Sequence, residues 1–214
     1  MPRSKSSSRW LREHFDDVFV KQSRADGYRS RAAYKLLEIQ EKDKLFRSGM
    51  CVIDLGSAPG SWSQVVSRLI GASGEIIAVD CLEMTPLPDV KFIQGDFRDS
   101  SVQEAIIQSL HGKKADLIIS DMAPNMSGNR HIDIPRAMGL VEEVLYFSFE
   151  NLSQGGSLLV KLFQGSGFED LLKTVRKGFE KASIRKPEAS RSRSKECFLL
   201  ARNYRGNLSP QENG

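Results

Sequence analysis

Short apolar runs alternate with amphipathic stretches along the chain from residue 51 onwards. Periodic stretches predict helices over 60–70, 101–110, 135–152 and 167–179. Runs rich in β-branched residues predict strands over 51–55, 75–80, 90–94, 115–120 and 156–162, with two later strands near Ser183 and over 196–201. Because strands that alternate with helices form βαβ units, we predict an α/β fold with a mainly parallel seven-stranded sheet and helices on both faces.

A further helix is predicted ahead of this core, over 30–39. Ser30 is its candidate N-cap, and Ala33 and Leu36 lie on one face. The chain is expected to divide into a basic N-terminal arm, one domain and a flexible tail, over 1–28, 29–203 and 204–214, with frayed ends at 1–8 and 205–214.

The composition is ordinary for a soluble protein, with 40% hydrophobic residues among 214. No apolar run approaches the roughly 20 residues that cross a bilayer, so no membrane partner is expected. Residues 1–12 are basic and Ser-rich without an apolar stretch behind them, which argues against a secretory signal. Cys51, Cys81 and Cys197 each lie in or beside an apolar run, which is typical of buried thiols in a reducing compartment. We therefore expect a cytoplasmic protein.

The formal net charge of +4 conceals an uneven distribution. Residues 1–35 carry a balance of +5 and residues 173–195 a balance of +7, which leaves the rest of the chain at −8. Two basic regions on an acidic body suggest a polyanion partner such as RNA, although two solvated faces would give the same pattern.

A glycine-containing loop follows the first core strand and opens a helix, where an open parallel sheet binds its ligand. Gly56 and Gly60 permit close backbone approach, and Asp80, at the end of the second strand, could hold two ribose hydroxyls. The third glycine of a dinucleotide motif is missing and Pro59 stands inside the loop. With the acid Asp54 expected at its mouth, the loop favours S-adenosylmethionine over an NAD-like ligand or a purely structural turn.

Four charged residues are expected at or near the ligand-binding edge of the sheet. Asp121 follows the fourth strand, and Lys161 ends the fifth strand inside an apolar run. A lysine in that position needs partners, because an unpaired buried charge is costly. Glu196 begins the last strand and Lys35 lies on the leading helix. Spacing alone does not distinguish one cluster from two unrelated surface ion pairs.

The sequence resembles the FtsJ family of ribosomal RNA large-subunit 2′-O-ribose methyltransferases over residues 15–203. The matching stretches are 30–36, 54–62, 95–99, 120–128, 133–138, 160–165 and 193–196. Several long motifs in the correct order are far more specific than the glycine loop. The resemblance implies a Rossmann-like class I methyltransferase domain with one antiparallel late strand.

The resemblance also implies roles for individual residues. The family's catalytic Lys-Asp-Lys-Glu tetrad falls on Lys35, Asp121, Lys161 and Glu196. The implied S-adenosylmethionine contacts are Gly60, Trp62, Asp80, Asp96 and Asp121, to which the loop itself adds Gly56. Asp80 would take the ribose hydroxyls, Asp96 the adenine edge and Asp121 the methionine end. Ser61 stands where many relatives have glycine. No metal is expected.

The implied reaction is in-line attack of a ribose 2′-oxygen on the sulfonium methyl group. We predict that Lys161 receives or steers the hydroxyl proton while the carboxylates orient its amine. The basic regions would flank the site and bind RNA phosphates. The expected partner is ribosomal RNA of the large subunit or its precursor, with a uridine as target, and the protein is expected to be a monomer.

Three other functions remain open. A base-nitrogen methyltransferase would leave the two lysines without an obvious use, and the aromatic residue expected after Pro124 is missing. A 2′-O-methyltransferase of transfer RNA or of the messenger RNA cap would share the tetrad. A non-catalytic RNA-binding ribosome-assembly factor is the alternative from another class, and the intact tetrad argues against it.

Overall fold

The computed structural model describes residues 17–190 and 194–206. Helices in this part of the chain are α1 Val18–Ala25, α2 Ala32–Asp43, α3 Ser61–Ile70, α4 Ser100–Ser109, α5 Arg130–Asn151 and α6 Phe168–Gly178. The strands are β1 Cys51–Leu55, β2 Glu75–Asp80, β3 Val90–Gln94, β4 Ala115–Ser120, β5 Leu152–Phe163, β6 Phe179–Arg185 and β7 Glu196–Tyr204. Every predicted element is present, and α1 was not predicted.

The strands form one sheet in the order β3-β2-β1-β4-β5-β7-β6. Neighbours from β3 to β5 pair in parallel, whereas β7 runs antiparallel to both β5 and β6. The predicted fold class is confirmed, including the one antiparallel late strand. The reversed direction of β7 brings its first residue, Glu196, opposite Phe163 at the carboxyl end of β5.

Helices cover both faces of the sheet. Helices α2 and α3 pack on one face, against side chains such as Val52, Leu117 and Phe198. Helices α4, α5 and α6 pack on the other face, against residues such as Ile53 and Ile118. Because both faces are buried, the central strands are continuous apolar runs, and all five residues of β1 are buried.

Helix α5 begins at Arg130, five residues before the predicted start at Pro135. Asn129 caps this earlier start, since its Oδ1 accepts a hydrogen bond of 3.1 Å from the His131 N–H. The buried Asp133 carboxylate accepts a bond of 2.8 Å from the backbone N–H of Ser127, just ahead of the helix. The proline therefore lies inside the helix, and the side chains that fix the start lie upstream of it.

Two further expectations are corrected by the structure. Strand β5 starts at Leu152, four residues early, because the pairing with β4 shifts register between Ala115 and Leu117 and takes up the Gly155–Gly156 pair. Cys81 is exposed, because it lies just beyond the last residue of β2, whereas Cys51 and Cys197 are buried thiols.

The ends of the chain and part of one basic region lie outside the described residues. These are residues 1–16, 191–193 and 207–214, which include most of the predicted N-terminal arm and tail. Strand β7 extends to Tyr204, whose buried hydroxyl donates to the Phe149 carbonyl. In the described part of the chain, no helix is long and apolar enough to span a membrane.

Candidate active site

Four charged side chains meet at the carboxyl edge of the sheet. Lys35 comes from α2, Asp121 directly follows β4, Lys161 lies near the end of β5, and Glu196 begins β7. The ammonium of Lys161 is 3.1 Å from Asp121 Oδ1 and also donates to the Asp121 backbone carbonyl. The ammonium of Lys35 lies 2.8 Å from Glu196 Oε1 and 3.8 Å from Asp121 Oδ1.

These contacts form one continuous chain of alternating charges, Glu196–Lys35–Asp121–Lys161, so the alternative of two unrelated surface pairs is wrong. The side chains are only 9% to 18% exposed, with Lys161 the least exposed. Each buried charge has an opposite neighbour within the cluster, which offsets part of its desolvation cost. The cluster thus holds two amines in fixed positions in a largely dry environment.

Glu196 is ionised at neutral pH. Its burial alone would raise its pKa, but the ammonium groups of Lys35 and Lys161 together hold that pKa below its usual range. The Lys35 ammonium also lies 5.7 Å from the centre of the buried Phe198 ring on β7, and this cation–π contact helps to hold the ammonium in place.

The glycine loop (residues 56–60) lies beside this cluster, between β1 and α3. Gly56 has a φ of +77° and Gly60 a φ of +102°, a conformation that L side chains rarely adopt. A Cβ atom at Gly56 would lie 2.4 Å from Cγ of Met122, the residue that follows Asp121. The two glycines are therefore required by both backbone conformation and space.

Asp54 lies beneath the glycine loop and is fully buried, so the expectation that it stands at the mouth of the loop is wrong. As the second-last residue of β1 it faces α3, where Ser63 Oγ donates to its Oδ2 over 2.6 Å. Its Oδ1 has no hydrogen-bond partner among the described residues. Burial raises the pKa of Asp54 to about 7.

Two further acids lie at the ends of the neighbouring strands, Asp80 as the last residue of β2 and Asp96 just beyond β3. The Asp80 carboxylate accepts hydrogen bonds from the backbone N–H of Ala58, 2.9 Å away, and of Leu82, 2.8 Å away. It thereby links the glycine loop to the β2 loop (residues 81–87). Asp96 lies just past β3 and is paired with Arg98, whose hydrogen bonds lower the pKa of Asp96 to about 2.

Trp62 belongs to the core. Its indole donates a 2.8 Å hydrogen bond to the Ala32 carbonyl, its ring packs 5.6 Å from that of Phe198, and it is 3% exposed. A ligand contact at Trp62 would come from its backbone in the first turn of α3, where helix N–H groups lack intrahelical partners. The implied contact therefore cannot be one of ring stacking.

The predicted residues thus fall into two adjoining groups along one edge. The candidate donor-binding residues lie at or just beyond the ends of β1, β2 and β3. The tetrad comes from α2, the end of β4, the last part of β5 and the start of β7, and Asp121 belongs to both groups. The glycine loop and the acids at the ends of β2 and β3 suit a ligand with a ribose, an adenine and cationic groups. Within the described residues, no group of three or more His, Cys, Asp or Glu could hold a metal ion.

Comparison with known proteins identifies the family. The model of the FtsJ-like methyltransferases matches residues 28–204. The chain belongs to this family. It is 58% identical to the ribosomal RNA large subunit methyltransferase E of Pseudomonas fluorescens, over 96% of the chain and 99% of the relative. The protein of the same name from Legionella pneumophila is 56% identical over 95% and 99%.

A solved structure agrees with this placement of the FtsJ-like chain. A crystal structure described as that of a ribosomal RNA methyltransferase from Plasmodium falciparum aligns with a TM-score of 0.76 and 32% identity. The alignment covers 83% of the chain and 98% of that structure. The chain is therefore a methyltransferase with this family's fold.

The basic region of this FtsJ-like methyltransferase is divided by the fold. Because α6 runs away from the carboxyl edge and β6 returns to it, residues 176–181 lie towards the opposite edge from the tetrad. Arg185 and the residues after it return to the tetrad's edge. Arg185 binds Asp43 through two hydrogen bonds of 2.6 and 2.7 Å, so it is not available to phosphates.

Two other basic residues of that region, Lys186 and Lys195, lie near the start of β7. Lys186 donates to the backbone carbonyls of Ser194 and Glu196, so it braces the start of β7. Lys195 is exposed directly beside Glu196. Arg191 and Arg193 lie outside the described residues. The prediction that the whole stretch flanks the site is therefore wrong for its first half, and Lys195 is the described residue that fits it.

Sequence reasoning missed two residues of this site. Ser63 donates to Asp54 from α3, and a serine inside a helix gives no signal of that contact. Arg29 was counted only as one of nine basic residues in 1–35, yet its guanidinium contacts both loops at the donor-binding edge.

Proposed function

We propose that this FtsJ-like methyltransferase transfers a methyl group from S-adenosylmethionine to the ribose 2′-hydroxyl of a uridine in large-subunit ribosomal RNA, within the assembling particle. The observation that carries the proposal is the Lys161 ammonium, held by Asp121 at the junction between the donor-binding residues and the rest of the tetrad. The names of the bacterial relatives support large-subunit ribosomal RNA as the substrate.

S-adenosylmethionine supplies an electrophilic methyl group on a sulfonium sulfur. Asp80 would accept hydrogen bonds from the ribose hydroxyls, Asp96 would contact the adenine edge, and Asp121 would contact the methionine end. Gly56 and Gly60 let the backbone approach the ligand closely. The residues present fit this ligand, since they combine a close-approach loop with acids that match its hydroxyls and its positive charges.

The new oxygen–methyl bond would form as the methyl–sulfur bond of the donor breaks and S-adenosylhomocysteine leaves. Lys161 receives the proton that leaves the 2′-hydroxyl when its amine is neutral, or steers the hydroxyl as an ammonium. Asp121 fixes the amine through its carboxylate and its backbone carbonyl. Lys35 and Glu196 continue the same chain of contacts, so the amine keeps one orientation towards the acceptor. Alignment of this kind is where an enzyme contributes most when the donor is already activated.

A cavity of about 430 Å³ adjoins Lys35 and Glu196. It lies between the start of α2 and the segment before β7, and Ser30 and Ser194 are among its lining residues. Its position beside the tetrad makes it suitable for the acceptor nucleotide. Because all four tetrad residues come from one chain, we propose that the protein acts as a monomer, in the cytoplasm with the ribosomal subunits.

The proposal is tested by identifying the nucleotide that the protein methylates. The protein is incubated with radiolabelled S-adenosylmethionine and large ribosomal subunits from a strain that lacks this methylation, and the labelled nucleotide is identified by mass spectrometry. We expect one uridine that carries a 2′-O-methyl group. A methyl group on a base nitrogen, label in transfer RNA alone, or RNA binding without label would each contradict the proposal.

A further inference from the structure

The Arg29 side chain bridges the two loops that border the donor-binding edge. Its Nη1 donates to the carbonyl of Pro59 in the glycine loop over 2.8 Å and to that of Thr85 in the β2 loop over 2.7 Å. Its Nη2 donates to the carbonyl of Pro86 over 3.0 Å. One guanidinium thus joins two loops that are separated by the whole of α3 and β2.

The same side chain closes over Gly60. A Cβ atom at Gly60 would lie 2.6 Å from Arg29 Nη1, 2.9 Å from Met84 Sδ and 3.1 Å from Leu87 Cδ1. The space beside the glycine loop is therefore bounded by Arg29 and by the β2 loop together. A change in the position of Arg29 would alter the width of this space directly.

The backbone of Arg29 is also held in place. Its N–H donates to Gln64 Oε1 over 2.8 Å, and Gln64 Nε2 donates to the Gly27 carbonyl over 3.2 Å. Gln64 lies on α3, the helix that begins just after Gly60. Arg29 is therefore anchored to the same helix whose N-terminus it covers.

The charge of Arg29 gives α3 no electrostatic benefit. A cation beside a helix N-terminus opposes the helix dipole, which favours negative groups there. The three carbonyl acceptors offset this cost, because hydrogen bonds from a charged donor are stronger than neutral ones. A cation in this unfavourable position is explained if the role of the arginine is to fix the separation of the two loops.

We propose that Arg29 is a positioning residue for the methyl donor, one that holds the glycine loop and the β2 loop at the separation that the donor's adenosine moiety requires. Asp80 makes the second link between the same loops, through Ala58 and Leu82. This inference rests on the proposed function for the identity of the ligand.

The test measures donor-site affinity in the full-length protein with S-adenosylhomocysteine as the probe, by isothermal titration calorimetry. Arg29→Ala is expected to raise the Kd about tenfold or more, because the loops are no longer held in the binding geometry. The kcat at saturating S-adenosylmethionine is expected to stay within about twofold of wild type, since Arg29 does not touch the tetrad. A Kd within about twofold of wild type would overturn the proposal.

The matched control is Arg47→Ala. The Arg47 guanidinium also makes a bond to another segment, 3.2 Å to Asp116 Oδ1, but at the amino end of β4, on the opposite edge of the sheet. Its removal is expected to leave the Kd unchanged, and an equal effect of both variants would overturn the proposal. Should Arg29→Ala fail to fold, Arg29→Lys is measured by the same criterion, because a lysine keeps the charge but lacks the planar fork that reaches three carbonyls.

A double-mutant cycle with Gln64→Ala separates positioning from general loosening. If Gln64 acts on the donor site through Arg29, the double variant is expected to bind the probe no more weakly than Arg29→Ala alone. Additive losses would contradict this role. Absence of binding by the wild-type protein would refute the proposed function itself, whereas normal wild-type binding with an unaffected variant would refute the role of Arg29 alone.

Discussion

Single residues at this site are defined by their burial and partners rather than by their type. Asp54 and Asp121 are both acids beside one loop, yet Asp54 is fully buried with one partnered oxygen, while Asp121 contacts two ammonium groups. Asp54 therefore serves the packing beneath the glycine loop, and Asp121 is the acid available to the chemistry.

The burial of Asp54 predicts an unusual pH dependence of stability. Because its pKa is raised to about 7 in the folded protein, the folded state holds a proton that the unfolded chain releases near its ordinary pKa of about 4. This contribution to the free energy of unfolding is fully present below pH 4 and is lost as the pH rises through 7. Asp54→Asn cannot ionise, so it abolishes this pH-dependent loss of stability. Its amide oxygen can still accept the hydrogen bond from Ser63.

The measurement is urea unfolding of both proteins from pH 5 to pH 8. The variant is expected to become more stable relative to wild type as the pH rises over this range, by roughly 3 kcal/mol. Parallel curves for the two proteins over this range would show that Asp54 is ionised in the folded state at all of these pH values.

At the scale of elements, the glycine loop depends on close contact with the loop after β4. Gly56→Ala is expected to destabilise the protein by about 1 kcal/mol from its positive φ alone, with a further loss because the new Cβ would meet Met122. Since Met122 follows Asp121, kcat is expected to fall as well. Thermal unfolding and initial-rate kinetics measure the two effects.

Gly112→Ala is the matched control for this change. Gly112 has the same φ of +77°, but no atom lies within 4 Å of the position of its Cβ. It is expected to show the backbone cost with normal kcat. If both variants lost the same stability and the same activity, the close contact between Gly56 and Met122 would contribute nothing specific to kcat or to stability.

The order and type of the elements follow from the sequence because the central strands are apolar runs separated by amphipathic stretches. Asp80, Asp121 and Lys161 could be placed at one edge from their positions at or near strand ends, and the resemblance joined Lys35 and Glu196 to Asp121 and Lys161 as one tetrad. Contacts that depend on loop conformation could not be placed. Arg29 binds backbone carbonyls, which carry no side-chain signal, and the start of α5 is set by side chains upstream of Pro135.

At the scale of the whole molecule, the fold decides which basic residues can contact RNA near the tetrad. Lys195 is exposed beside Glu196, whereas Lys177, which is also exposed, lies in the last turn of α6 towards the opposite edge of the sheet. Lys195→Ala is expected to weaken binding of ribosomal RNA and to reduce the slope of log Kd against log salt by about 1.

Lys177→Ala removes the same charge and is expected to leave both quantities unchanged. Filter binding at a series of salt concentrations provides the comparison. Equal slopes for the two variants would mean that the RNA does not approach the protein along the carboxyl edge of the sheet.

The central claim is that the Lys161 amine handles the proton of the attacking hydroxyl. Its most direct test is the single-turnover methylation rate on large ribosomal subunits at saturating S-adenosylmethionine, for Lys161→Ala, Lys161→Arg and the control Lys113→Ala, whose ammonium pairs with Glu75 at the opposite edge. We expect both Lys161 variants to react more slowly than wild type by about a hundredfold or more, because alanine has no amine and a guanidinium does not deprotonate in proteins. Donor affinity is expected to change little in both, and Lys113→Ala is expected to react at the wild-type rate. A Lys161→Ala rate close to that of wild type would contradict the account.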